Sequence, residues 1–172
     1  MTRGYLLDTN ILSLWFDRHD EPGHSRVIDH VDALESSDLL RTSVIVLGEI
    51  EFGHRAASPG ADSPIQQTYK KFLKEHVPIA YEVGKATTLY YGPLRGRLFE
   101  RFARQRRKGK KLRPEQLKDP VTALELGIDE NDLWLAAQAL ERNLVLVTHD
   151  KMKRIQEVLG GDLALTIEDW AA

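Results

Sequence analysis

Short apolar runs alternate along this chain with segments whose apolar residues recur at helical spacing, and this alternation constrains the fold more than any other feature. Residues 4–7 read as a strand that ends at Asp8-Thr9-Asn10, with a helix starting near Asn10. Val27, Ile28, Val31 and Leu34 predict a helix over 25–36, and a polar turn leads to a second strand at 39–42. Residues 43–54 are apolar on several sides yet contain Glu49, which predicts a largely buried helix with an acid inside it. Pro59, Gly60 and Pro64 mark a loop before a helix at 66–76. A long helix is predicted from near Tyr81, interrupted at Gly92-Pro93, whereas residues 109–129 show no readable period.

The pattern returns with Leu133, Ala136, Ala137 and Leu140, a helix closed by Asn143 before a strand at 144–148, and Asp150 follows that strand. A helix at 151–159, a stop at Gly160-Gly161, a last strand at 163–166 and the tail Glu168-Asp169-Trp170 complete the series. Strands and helices in this alternation predict an α/β fold with a mainly parallel sheet. Such sheets bind ligands outside the carboxyl ends of their strands, the edge at which Asp8 and Asp150 both fall.

The 172 residues suit one domain spanning 1–172, with a basic, insertion-like segment around 92–125. The absence of cysteine excludes disulfides, thiolate catalysis and Cys-ligated zinc. No apolar run reaches the roughly 18 residues that span a bilayer, and Asp8 and Asn10 interrupt the start too early for a signal peptide, so no membrane association and a cytoplasmic location are expected. The formal net charge of −2 hides a block at 95–113 that carries ten Lys or Arg against Glu100 alone. Its local charge of +9 suits a polyanion.

Magnesium takes oxygen ligands and keeps several waters, so a site for it needs a few carboxylates rather than a His or Cys cage. Asp8, Glu49, Asp132 and Asp150 meet that requirement. Packed together they would raise one another's pKa unless a cation neutralised them. Each acid also has a plainer explanation. Asp8 and Asp132 could cap the helices they precede or begin, and Asp150 could be a turn residue in Thr-His-Asp-Lys. Glu49 resists such an explanation, because a glutamate among Val, Ile and Leu needs a partner or a metal.

In order along the chain stand Leu6-Leu7-Asp8-Thr9-Asn10-Ile11-Leu12, Thr42-Ser43-Val44-Ile45-Val46-Leu47-Gly48-Glu49-Ile50-Glu51-Phe52-Gly53, Asn131-Asp132-Leu133-Trp134-Leu135-Ala136-Ala137 and Leu146-Val147-Thr148-His149-Asp150. This ordered set, with Ile167-Glu168-Asp169-Trp170 at the end, resembles the PIN-domain ribonucleases of the VapC toxin group. The resemblance implies a PIN-like α/β/α sandwich with a mainly parallel, roughly five-stranded sheet. It implies Mg²⁺ or Mn²⁺ dependence, cleavage of single-stranded or looped RNA such as tRNA or rRNA, a homodimer, and neutralisation by a VapB-like antitoxin. By matching motif, Asp8, Glu49, Asp132 and Asp150 carry over as catalytic, metal-site acids, and Thr9, Asn10 and Thr148 as residues that arrange the site. The chain is longer between Tyr81 and Asp132 than a minimal toxin of the group.

Lysines and arginines on phosphates supply sequence-independent, salt-sensitive affinity, and this makes Arg104, Arg106, Arg107, Lys108, Lys110 and Lys111 candidates for RNA binding. A solvated helix face explains the same run equally well. The six histidines lack the spacing of a zinc site, and no glycine-rich phosphate loop is present. Alternatives from other classes are a non-catalytic RNA- or partner-binding protein of the same architecture, a structure-specific DNA nuclease, and an aspartyl-phosphate enzyme, which would want Asp-x-Asp where this chain has Asp8-Thr9-Asn10.

Overall fold

Tyr5, Leu6 and Leu7 are all buried, as expected of a strand covered on both faces, and they make β1 (Gly4–Leu7) the centre of a parallel sheet. The structure, a computed structural model, describes residues 3–17, 22–103, 112–119 and 121–172. The chain forms two units, one of residues 1–83, 144–151 and 166–172, the other of 84–143 and 152–165.

The first unit holds the whole sheet: β1, β2 (Leu39–Ser43), β3 (Ala80–Tyr81), β4 (Val145–Val147) and β5 (Thr166–Glu168), in the order β3-β2-β1-β4-β5. Every pairing is parallel, with Leu6 beside Arg41 on one side of β1 and Leu7 beside Val147 on the other. The chain builds outward from β1 to β2 and β3, then resumes on the opposite side with β4 and β5. The strand order therefore reverses between β1 and β4, and the carboxyl end of that pair is where an α/β sheet opens a binding crevice.

Helices α1 (Thr9–Phe16), α2 (Pro22–Asp32), α3 (Val44–Ala57) and α4 (Pro64–His76) belong to the same unit. Helix α4 starts with a reciprocal cap between Ser63 and Gln66 and has Pro64 in its first turn, where the missing N–H costs nothing. An aromatic cluster joins α1 to α4, with Trp15 edge-on to Phe72 at 5.1 Å and Phe16 stacked on Tyr69 at 4.5 Å.

The second unit contains α5 (Thr88–Ala103), a 3-10 turn at Pro114–Gln116, α6 (Glu130–Arg142) and α7 (Lys153–Gln156). Helix α5 packs on α6 and buries Leu94, Leu98 and Phe102 at a spacing of four. Asn143 ends α6 in the left-handed conformation at φ 52°, which Asn tolerates better than most residues.

Several elements differ from the sequence-based expectation. Tyr81 begins no helix; Ala80 and Tyr81 form an edge strand opposite Thr42 and Ser43, a pairing two residues are too few to announce. Pro93 lies inside α5 without interrupting it, because Leu89, whose carbonyl loses its bond to residue 93, is 72% exposed and can be solvated. The last strand is Thr166–Glu168, whereas Leu163 bridges back to Gly160 across a turn with positive φ at Gly160 and Gly161. Helix α3 is not largely buried. Val46 and Ile50 point inward, whereas Val44, Leu47 and Phe52 are 38%, 37% and 75% exposed.

Candidate active site

Asp8 is the first residue beyond β1 and the N-cap of α1, so one residue serves two purposes. Its Oδ1 accepts the Thr9 backbone N–H at 2.6 Å, and its Oδ2 accepts the Thr148 hydroxyl at 2.7 Å. The register of β1 against β4 accounts for the second bond, since Leu7 opposite Val147 puts Asp8 beside Thr148 one step later. Asp8 is 5% exposed. Burial raises its carboxyl pKa above the ordinary range; the bonds from Thr148 and Thr9 oppose the rise, and the nearby negative charges of Glu49 and Asp150 add to it. The capping and functional explanations of Asp8 are therefore compatible.

Glu49 lies on α3, whose start is capped by Ser43 through the Ile45 N–H at 3.0 Å. The Glu49 carboxylate is half-buried and accepts the Thr9 hydroxyl. Thr9 thus supports both neighbouring acids, its N–H serving Asp8 and its hydroxyl Glu49.

The carboxyl end of β4 supplies the rest. Thr148 is fully buried, and its hydroxyl oxygen, besides donating to Asp8, accepts the Asp150 N–H at 3.0 Å and Asn10 Nδ2 at 3.2 Å. Asn10 Nδ2 also donates to Asp150 Oδ2 at 3.2 Å, and Asn10 Oδ1 accepts the His149 N–H at 3.0 Å. Asn10 and Thr148 therefore hold the loop that carries the exposed Asp150. One pairing leaves no trace in the sequence: His149 Nδ1 is 3.1 Å from both carboxylate oxygens of Asp169. Twenty residues separate the partners, and only the adjacency of β4 and β5 brings them together.

Asp132 belongs to the second unit, at the third position of α6. It shares a capping box with Asp129; its Oδ2 receives the Asp129 N–H at 3.4 Å and Asp129 accepts the Asn131 N–H at 2.8 Å. Arg104, Arg106, Arg107, Lys108, Lys110 and Lys111 lie outside the described residues. Other cations of the basic block are engaged within the second unit: Arg95 with Glu130 at 3.1 Å, Arg101 with Glu157 at 3.1 Å, and Arg97 with Asp162.

The first unit thus gathers Asp8, Glu49 and Asp150 with Thr9, Asn10 and Thr148 at the reversal of strand order. The donors are all oxygens, and the innermost acid is buried under the charge of two neighbours. A hard divalent cation fits such a set, since it relieves the repulsion and tolerates few protein ligands by keeping water. Among the described residues no three His, Asp or Glu side chains are grouped so that they could hold a metal ion by themselves. No helix among the described residues is long and apolar enough to cross a membrane.

A family model described as PIN domain matches residues 5–158. Among curated proteins no sequence matches. Solved structures that resemble the chain include VapBC2 from Rickettsia felis bound to a DNA fragment from their promoter, at 24% identity and a TM-score of 0.65, covering 97% of this chain and 98% of that one. VapBC-1 from nontypeable Haemophilus influenzae matches at 24% identity and a TM-score of 0.65, covering 98% and 99%. VapBC-5 from Mycobacterium tuberculosis, a member of the VapBC family of toxin-antitoxin systems, matches at 20% identity and a TM-score of 0.51, covering 96% of each chain. At these identities the likeness shows the fold, which is the PIN-like α/β fold that the sequence predicts.

Proposed function

Because the chain belongs to the PIN-domain family, we propose that it is a metal-dependent endoribonuclease, the toxin of a toxin-antitoxin pair. The observation that carries this reading is the buried Asp8 carboxylate at the reversal of strand order, with the charges of Glu49 and Asp150 beside it. A folded protein keeps such an arrangement only against a cost, and a bound cation offsets it.

Asp8, Glu49 and Asp150 are proposed to hold Mg²⁺ or Mn²⁺, directly or through water, and Asp132 joins them on the strength of its motif alone. When bound, the ion supplies a water acidified enough to attack a phosphodiester and positive charge for the phosphate oxygens. The chain's own residues prepare that reaction. Thr148 and Thr9 each hold one oxygen of Asp8, which fixes the orientation of the carboxylate. Thr9 turns Glu49 toward the same place, and Asn10 orients Asp150.

RNA, single-stranded or looped as in tRNA or rRNA, is the proposed substrate, with the basic run from Arg104 to Lys111 as an electrostatic contact to its backbone. A VapB-like antitoxin is the proposed inhibitor, and a cytoplasmic site of action follows from that role. The exposed Val44, Leu47 and Phe52 on α3 support a homodimer, since such a surface is better covered than left in water. Expression of the unaltered protein and of D8N, followed by sequencing of RNA 5′ ends, tests the proposal. New ends produced by the unaltered protein alone are expected; identical ends with both proteins would refute it.

A further inference from the structure

In the second unit Lys118 and Glu125 form an antiparallel bridge that closes a short turn. The Leu126 N–H donates to the Leu117 carbonyl at 3.0 Å, and the Asp119 N–H to the Leu124 carbonyl at 2.8 Å. Asp119 ties the turn together: Oδ1 accepts the Val121 and Thr122 N–H groups at 2.9 and 3.0 Å, and Oδ2 accepts from Arg154 at 3.4 Å. Yet this well-bonded turn leaves Val121 90% and Leu124 69% exposed. Because the backbone that carries them is already ordered, a surface that covered them would gain their burial at little ordering cost.

The same unit holds a hollow of about 460 Å³ beside α5. Leu98, Phe99, Leu112 and Leu133 line it, and Arg95 is the one charged residue among its described lining. Gly92 and Gly96, about one turn apart on α5, keep it open, since a Cβ on either would meet no neighbouring group within 4 Å. Leu117 belongs to both features: it lines the hollow and accepts the bond that closes the turn. Knob and hollow are therefore neighbours, but the exposure of Val121 and Leu124 shows that the chain's own knob does not fill its hollow. Charge follows the same division. Arg113 is exposed next to Pro114, which lines the hollow, and Glu125 is exposed next to Leu124; neither makes an ion pair among the described residues.

We propose that Val121 and Leu124 of one copy of this chain enter the α5 hollow of a second copy, which returns the same contact, with Glu125 of each facing Arg113 of the other. A twofold axis near Leu117 permits this exchange because knob and hollow adjoin, and a reciprocal contact closes at two copies rather than propagating. A second copy is favoured over an unrelated partner because one unit supplies both an apolar knob and an apolar hollow, with opposite charges beside them. The contact is separate from the exposed face of α3 and does not depend on the ribonuclease reading.

The chain has no cysteine, so engineered thiols report this contact alone. L124C and G96C, prepared separately with tags of different size and then mixed, should join under a short bismaleimide into a mixed dimer. L124C mixed with I65C, an exposed position on α4, should give none. Sedimentation across a concentration series is then measured in F52D, which removes association through α3 and leaves this contact to be read. V121S/L124S, which removes the knob, and G96L, which fills the hollow, should each weaken that association at least about tenfold, the worth of an apolar side chain kept from burial. The knob is exposed and the hollow has room, so both variants keep the fold, which circular dichroism checks.

Equal mixed-dimer yields with G96C and I65C would overturn the inference. So would an F52D protein that stays monomeric throughout the series, or association that neither V121S/L124S nor G96L weakens. Absence of RNA cleavage by the unaltered protein would overturn the nuclease reading and leave this inference standing.

Discussion

The Thr148 hydroxyl donates to Asp8 Oδ2 at 2.7 Å and so ties the residue after β4 to the residue after β1, 140 positions away in sequence. That bond satisfies a buried carboxylate oxygen and joins the carboxyl ends of β1 and β4. T148V keeps the shape and removes the donor, leaving the oxygen buried without a partner. A loss of about 1–3 kcal/mol in urea unfolding is expected, with T148S restoring most of it. Equal stabilities of T148V and the unaltered protein would show that the bond contributes nothing.

D8N replaces a buried, crowded carboxylate with a neutral group of the same size, so the metal-free protein should be at least as stable as the unaltered one. Mg²⁺ or Mn²⁺ should raise the Tm of the unaltered protein in proportion to site occupancy, and the increment should vanish in D8N. A thermal shift of equal size in both proteins would place the ion elsewhere.

Reversing the charges of Arg104, Arg106, Arg107, Lys108, Lys110 and Lys111 should weaken RNA binding and flatten its dependence on salt, because each phosphate contact contributes to the slope. The titration is done on D8N, in which cleavage is expected to be absent. An unchanged slope would assign the run to solvent.

Tyr91 stacks on Trp134 with ring centroids 3.7 Å apart, donates to Glu130 at 2.5 Å, and accepts from Arg95 at 2.5 Å. Burial, followed by the bond to Glu130, pushes its phenol from 10.0 up to about 12. Above pH 10.0 the unfolded chain gives up this proton before the folded one does. The stabilisation is therefore complete below that pH and disappears as pH rises through about 12. In Y91F the decline of unfolding free energy across this interval should be shallower. Superimposable pH profiles would contradict the assignment.

Much of this architecture is legible in the order of residues alone. The strand entering Asp8, the helix over Leu133 to Leu140 with its Asn143 stop, and the strand entering Thr148 all follow from local period and capping chemistry, which short-range sequence encodes. The Ala80–Tyr81 strand and the placement of β5 are not legible there, because two- and three-residue edge strands owe their existence to a partner rather than to a pattern of their own. The exposure of Val44, Leu47 and Phe52 on α3 is equally hidden, since apolar content does not say which face finds a neighbour.

The ordered acidic motifs by themselves determined the family and named Asp8 and Glu49. Only the tertiary structure decided that Thr9 serves both acids, that the Thr148 hydroxyl is shared among Asp8, Asn10 and Asp150, and that His149 meets Asp169. Those bonds depend on which strand lies beside which and in what register. Parallel pairing sets both through contacts far apart in the chain, where local sequence carries no signal.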